Sequence, residues 1–131
     1  MSAIVIDASA VIELLLCTAR SDAVAARILR DGVALHAPHL IDVEVAQVLR
    51  RYEHAGELRA PRAGDALADF ADIRLERHPM EPMLGRIWAL RHNMTAYDAA
   101  YVALAEALDA PLITCDARLG SAVRDATVEV L

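Results

Sequence analysis

The spacing of apolar positions changes several times along the chain, and each change marks an element. Ala3, Ile4, Val5 and Ile6 form an unbroken apolar run that stops at Asp7, and Leu112, Ile113, Thr114 and Cys115 form a second that stops at Asp116. These runs read as buried strands over 3–7 and 112–115. Further strands are expected over 33–37, near 74–77 and over 127–130. Between them, apolar residues recur at three- and four-residue intervals. This spacing predicts helices from Ser9, over about 21–31, over 39–55 with Gly56 as the stop, and over 61–73, 81–91, 96–108 and 117–123. In helix 96–108 the apolar positions include Ala99, Tyr101, Val102, Ala105 and Leu108, while Ala100, Ala103 and Ala107 leave room for a close neighbour, so this helix is expected to be central. Strands alternating with helices imply an α/β fold with a mainly parallel sheet. With no repeat or low-complexity linker, and with Pro and Gly read as falling singly at element ends, one unit over 1–131 is expected.

Four acids stand at or near these junctions: Asp7, Glu44, Asp98 and Asp116. In an open sheet with helical crossovers, the functional crevice lies beyond the carboxyl ends of the strands, so acids distant in the chain can meet there. Two carboxylates about 4 Å apart repel by roughly 4 kcal/mol at an effective dielectric near 20, so such a cluster must hold protons or a cation. An all-oxygen ligand set favours Mg²⁺ or Mn²⁺. Each acid also has a structural reading. Asp7 can serve a turn or cap a helix, although Ser9 is itself a credible N-cap. Glu44, like Asp42, can be a solvated side chain in a first helical turn. Thr95 and Asp98 have the spacing of a capping box, and Asp116 can cap the helix that follows it. The coincidence of all four at junctions is what favours a shared site.

Composition narrows the alternatives. At 131 residues, the chain can bury roughly two-thirds of its unfolded surface without disulfides. Cys17 and Cys115 lie in apolar runs without metal-ligand spacing and read as reduced, buried thiols of a cytoplasmic protein. No run approaches the ~18 apolar residues of a membrane span, and Ile4 to Asp7 follow the N-terminus without a basic leader. A net charge of −6 means that a nucleic acid would have to be held locally, by arginines and metal ions. Aromatics, at 4%, are too few for an extended stacking platform. All 13 basic residues are arginine, which excludes a catalytic lysine.

Other chemistries find little support. His36, His39, His54, His78 and His92 form no HExxH pattern and read as surface or helix-end residues, with no metal assigned to them. No Gly-x-Ser-x-Gly elbow, evident Cys–His pair or Gly-rich phosphate loop is present. Met80, Met83, Met94 and Trp88 read as packing residues.

Four segments taken together are more informative: Val5-Ile6-Asp7-Ala8-Ser9; Ala37-Pro38 leading to Val43-Glu44-Val45; 97–106, from Tyr97-Asp98-Ala99-Ala100 onward; and 112–119, from Leu112 to Leu119 through Asp116. In this order and at this total length they resemble the PIN-domain ribonucleases, specifically the VapC toxins, over essentially the whole chain. The resemblance implies a single PIN domain, a Rossmann-like α/β/α sandwich. It also implies an acidic pocket in which Asp7, Glu44, Asp98 and Asp116 bind Mg²⁺ or Mn²⁺, with Ser9 and Thr114 supporting it by hydrogen bonding. Arg118 stands where family members sometimes carry an acid. The implied activity is endonucleolytic cleavage of single-stranded or loop RNA, restrained by a cognate VapB-type antitoxin, in a protein expected to form a homodimer. Arg50, Arg51, Arg86 and Arg91 are candidates for gripping flanking phosphates.

Two other classes stay in comparison. A phosphoaspartate domain also gathers acids and Mg²⁺ at strand ends, but it normally uses a lysine, and Asp7-Ala8-Ser9 is not the Asp-x-Asp of a dehalogenase-type site. A non-catalytic interaction module would use the same acids only as helix caps. A DNA-directed nuclease is a nearer neighbour, because carboxylate–metal chemistry does not itself read the 2′-hydroxyl.

Overall fold

The computed structural model describes residues 2–122 and 126–131. The elements run β1 (Ser2–Ile6), α1 (Ala8–Leu15), α2 (Ser21–Ile28), β2 (Val33–Pro38), α3 (Ile41–His54), α4 (Ala60–Asp72), β3 (Glu76–His78), a 3₁₀ turn (Glu81–Met83), α5 (Leu84–Ala89), α6 (Ala96–Leu108), β4 (Leu112–Thr114), α7 (Ala117–Ala122) and β5 (Val128–Val130). The strands form one sheet in the order β3-β2-β1-β4-β5, and every pairing is parallel. From β1 the chain steps one way to β2 and β3, and later returns across the sheet to β4 and β5. Right-handed crossovers therefore place α1–α4 on one face and α5–α7 on the other. The direction reverses between β1 and β4, so the crevice of this α/β/α sandwich opens at their carboxyl ends.

The elements follow from local chemistry. The apolar runs of β1 and β4 are interior strands, and all three residues of β4 are buried. In α3, Ile41, Val45 and Leu49 bury one stripe at four-residue spacing. Gly56 ends that helix as expected: at φ 77° its N–H donates to the Glu53 carbonyl, and Glu57 donates to that of Tyr52, a Schellman arrangement. Helix α6 is buried continuously from Ala99 to Ala105 and packs against α5, β1, β2 and β4. Its small side chains allow this central position, although Ala107 is exposed.

Several expectations are corrected. Helix α1 starts at Ala8 rather than Ser9; of its two N-cap candidates the cap is Asp7, whose carboxylate accepts from the Ala10 N–H, and Ser9 lies inside the first turn. The helix expected over 81–91 is divided. Pro82 lacks an N–H, and the Met83 N–H closes a tight turn to the Met80 carbonyl before α5 begins. The edge strand lies at Glu76–His78, where the backbone first pairs with β2. Gly64, Gly85 and Gly120 sit inside helices rather than at element ends. At Gly120 the reason is close approach, since a Cβ would stand 2.7 Å from a Val130 methyl of β5. Cys17 is exposed, carried outward by a left-handed turn (φ 53°) after α1, whereas Cys115 is buried. Val123, expected to end α7, lies outside the described residues. Among the described residues, no helix is long and apolar enough to cross a membrane.

Candidate metal centre

Asp7 immediately follows β1, at the point where the sheet order reverses, and is 6% exposed. Its Oδ1 accepts from Ser9 Oγ at 2.7 Å and from the Ala10 N–H at 3.1 Å, and its Oδ2 accepts from Thr114 Oγ1 at 2.5 Å. The two hydroxyls also join the loops. Ser9 Oγ accepts from the Cys115 N–H at 2.9 Å, Thr114 Oγ1 accepts from the Asp116 N–H at 2.9 Å, and the hydroxyl oxygens lie 3.2 Å apart. Ser9 and Thr114 thus tie the end of β1 to the end of β4 and fix the Asp7 carboxylate between them.

The other acids enter from helix starts. Glu44 lies in the first turn of α3, half-buried, and its Oε1 accepts from the Tyr101 hydroxyl at 2.5 Å. Asp98 lies in the first turn of α6, where its N–H donates to Thr95 Oγ1 at 3.2 Å, so the expected cap forms. Asp116 begins the turn into α7 and accepts from the Arg118 N–H at 3.0 Å and from its guanidinium at 3.0 and 3.3 Å. Asp42 does not join the group, because Arg77 of β3 binds its carboxylate.

The electrostatics link these side chains. Burial raises the pKa of Asp7 despite its three donors, with the Asp116 charge adding to the shift. Burial raises Glu44, helped by the charges of Asp98 and Asp7, and raises Asp98, helped by Asp116. Asp116 is held low by its hydrogen bond to Arg118. Among the described residues, Asp7, Glu44 and Asp98 have no ion-pair partner. Three desolvated carboxylates, of which only Asp98 feels an opposite charge, that of Arg118, form an oxygen donor set suited to a hard divalent cation. Among the described residues, the trio of side chains whose ligand atoms lie within 4.8 Å of one another is elsewhere: His36, Glu76 and His78. Within the quartet, Glu44 is held by Tyr101 and Asp116 by Arg118.

Two features were not legible in advance. Tyr101 reads in the sequence only as a core position, yet it stands one turn after Asp98 and orients Glu44; burial and the Glu44 hydrogen bond push its hydroxyl pKa far up. His36 is buried within β2 and His78 is half-buried on β3, contrary to their expected surface or helix-end placement. The candidate arginines separate. Arg51 lines a cavity of about 580 Å³ with Ala8, Val43, Glu44 and Tyr97, beside the acids. Arg50 faces a different groove, Arg86 is engaged by Glu106, and Arg91 stacks on Trp88.

A parallel sheet of this order with acids at its switch point defines a class, and the PIN-domain model matches residues 4–124. The chain is 43% identical over 116 residues to ribonuclease VapC9 of Mycobacterium tuberculosis, covering 88% of this chain and 87% of that protein. It is 42% identical over 123 residues to ribonuclease VapC1 of the same organism, covering 93% and 92%. The chain belongs to the PIN-domain family, in its VapC branch. Two solved structures share the fold. PAE2754 from Pyrobaculum aerophilum matches with a TM-score of 0.69 and 22% identity over 97% of this chain and 83% of that one. VapBC2 from Rickettsia felis, bound to a DNA fragment from their promoter, matches with a TM-score of 0.75 and 12% identity over 98% of both chains.

Proposed function

We propose that this protein is a metal-dependent endoribonuclease toxin, restrained by a VapB-type antitoxin, in which Asp7, Glu44, Asp98 and Asp116 hold Mg²⁺ or Mn²⁺. The observation carrying this reading is Asp7: a buried carboxylate at the sheet's switch point, fixed by three donors and with no ion-pair partner among the described residues. The relatives named as ribonucleases support the activity class.

A bound divalent ion would lower the pKa of a water and neutralise charge developing on the phosphodiester. The chain's own residues supply the rest. Ser9, Thr114 and the Ala10 N–H hold Asp7 in one orientation, and Oδ2, which accepts only from Thr114, keeps a lone pair for a ligand. Tyr101 positions Glu44. Arg51, two turns along α3 on the same face as Glu44, would bind a phosphate flanking the scissile bond. Asp7, Glu44 and Asp98 would accept an arginine from an antitoxin segment, while Val43 and Tyr97, both exposed beside the site, offer it apolar contact. Leu84 and Trp88, exposed four residues apart on α5, offer surface to a second copy in the homodimer reading.

Labelled single-stranded RNA and DNA of the same sequence, incubated together with the antitoxin-free protein and Mn²⁺, test the assignment. The expected result is RNA cleavage that EDTA abolishes while the DNA survives. DNA cleavage in preference to RNA would replace the substrate class, and RNA cleavage that resists EDTA would overturn the role of the metal.

A further inference from the structure

A second cluster with ligand chemistry lies at the sheet edge. In the parallel register of β2 and β3, His36 stands opposite Glu76 and Pro38 opposite His78, so His36, Glu76 and His78 project on one face. Arg77 projects on the other, where it pairs with Asp42 and lies over Phe70. His36 Nδ1 is 2.8 Å from His78 Nε2 and 3.5 Å from Glu76 Oε2, and the three ligand atoms all lie within 4.8 Å of one another. Ligands about 2.0–2.2 Å from a tetrahedral zinc ion are separated by roughly 3.3–3.5 Å, so the observed spacings bracket those of a coordinated set.

We propose that His36, Glu76 and His78 form a transition-metal site, zinc first among candidates, that fastens the edge strand β3 to β2. Two imidazoles and one carboxylate select zinc or a neighbouring late transition metal over Mg²⁺ and Mn²⁺, so the two sites of this chain sort metals by donor type. The cluster is built for capture: His36 is rigidly buried in a strand, while the Glu76 side chain is 67% exposed and free to adjust. Water would complete the coordination. The site lies directly before α3, the helix of Glu44, and the His39 N–H at that junction donates to the His78 carbonyl at 2.9 Å. Metal binding would therefore hold β3, a strand of three residues, against the segment that positions an acid of the main site.

The test is a calorimetric titration of the full chain, stripped with EDTA and desalted, with Zn²⁺. Wild type is compared with His78→Gln, Glu76→Gln and the double variant Asp7→Asn/Asp98→Asn, each checked for folding by circular dichroism. One zinc per chain is expected in wild type and in the acid double variant, with affinity about tenfold or more weaker in His78→Gln and Glu76→Gln, since even outer-shell partners of a metal ligand cost 10–100-fold. If His78→Gln fails to fold, the exposed Glu76→Gln decides. Zinc uptake lost only in the acid double variant, unchanged affinity in Glu76→Gln, or no uptake by wild type would overturn the site and leave the pair as a histidine–histidine hydrogen bond. None of these outcomes depends on RNA cleavage.

Discussion

Asp7 performs two tasks with one side chain: it caps α1, and it is the most deeply buried acid of the candidate centre. Asn caps a helix as well as Asp does, so Asp7→Asn removes the charge while retaining the cap. The three acids with raised pKa hold protons more tightly in the folded than in the unfolded chain. Stability of the ion-free protein should therefore fall as pH rises from the ordinary carboxylate range through their higher folded values. Urea unfolding of wild type and Asp7→Asn at several pH values, without metal, should show the variant gaining on wild type as pH rises. A constant difference would contradict the burial of a charge. The surface pair Arg27–Glu129 has the opposite sign: Glu129 is held low, so its contribution is present above the ordinary glutamate pKa and lost as pH falls through the folded value.

Thr114, fully buried, donates to Asp7 and accepts from the Asp116 N–H; Thr114→Val should cost about 1–3 kcal/mol in urea unfolding by leaving both groups unpaired. Arg118 competes with any cation for Asp116, so Arg118→Ala should tighten Mn²⁺ binding in a calorimetric titration; unchanged affinity would place Asp116 outside the ligand set. At this scale the junction positions of the four acids were legible because strand ends and helix starts leave marks in the apolar pattern. Tyr101 and the His36–His78 pair were not, because their partners are set by packing and strand register between residues 57 and 42 positions apart.

The elements themselves were largely legible, and the misses have local causes. Asp7 and Ser9 are both good N-caps, and the choice between them depends on where β1 ends. Pro82 divides a helix that apolar spacing alone joins. Cys17 sits in a left-handed turn to which its apolar neighbours give no clue. Helix α6 was expected to be central, and its burial over seven consecutive residues goes beyond one apolar stripe. Filling this tight space should be costly: Ala99→Leu is expected to lose about 1–3 kcal/mol in urea unfolding, whereas an equal stability would mean that the helix has room to shift.

For the whole molecule, alternation of strands and helices implied the α/β class, but strand order was not legible, because pairing is decided by which crossovers the packed helices permit. That order gives the site its place: with β1 between β2 and β4, Asp7 and Asp116 leave adjacent strands at the reversal, and α3 and α6 bring Glu44 and Asp98 to them. The net charge of −6 gives the surface no general attraction for a polyanion, so affinity must arise locally. Binding of RNA should accordingly depend on the divalent ion and on Arg51.

The most direct measurement is to map the new RNA ends produced by wild-type protein and by folded Asp7→Asn in Mn²⁺. If the quartet holds the catalytic ion, wild type should generate discrete ends and Asp7→Asn should be slower by about 100-fold or more. Equal cleavage by the two proteins would contradict the assignment of the centre.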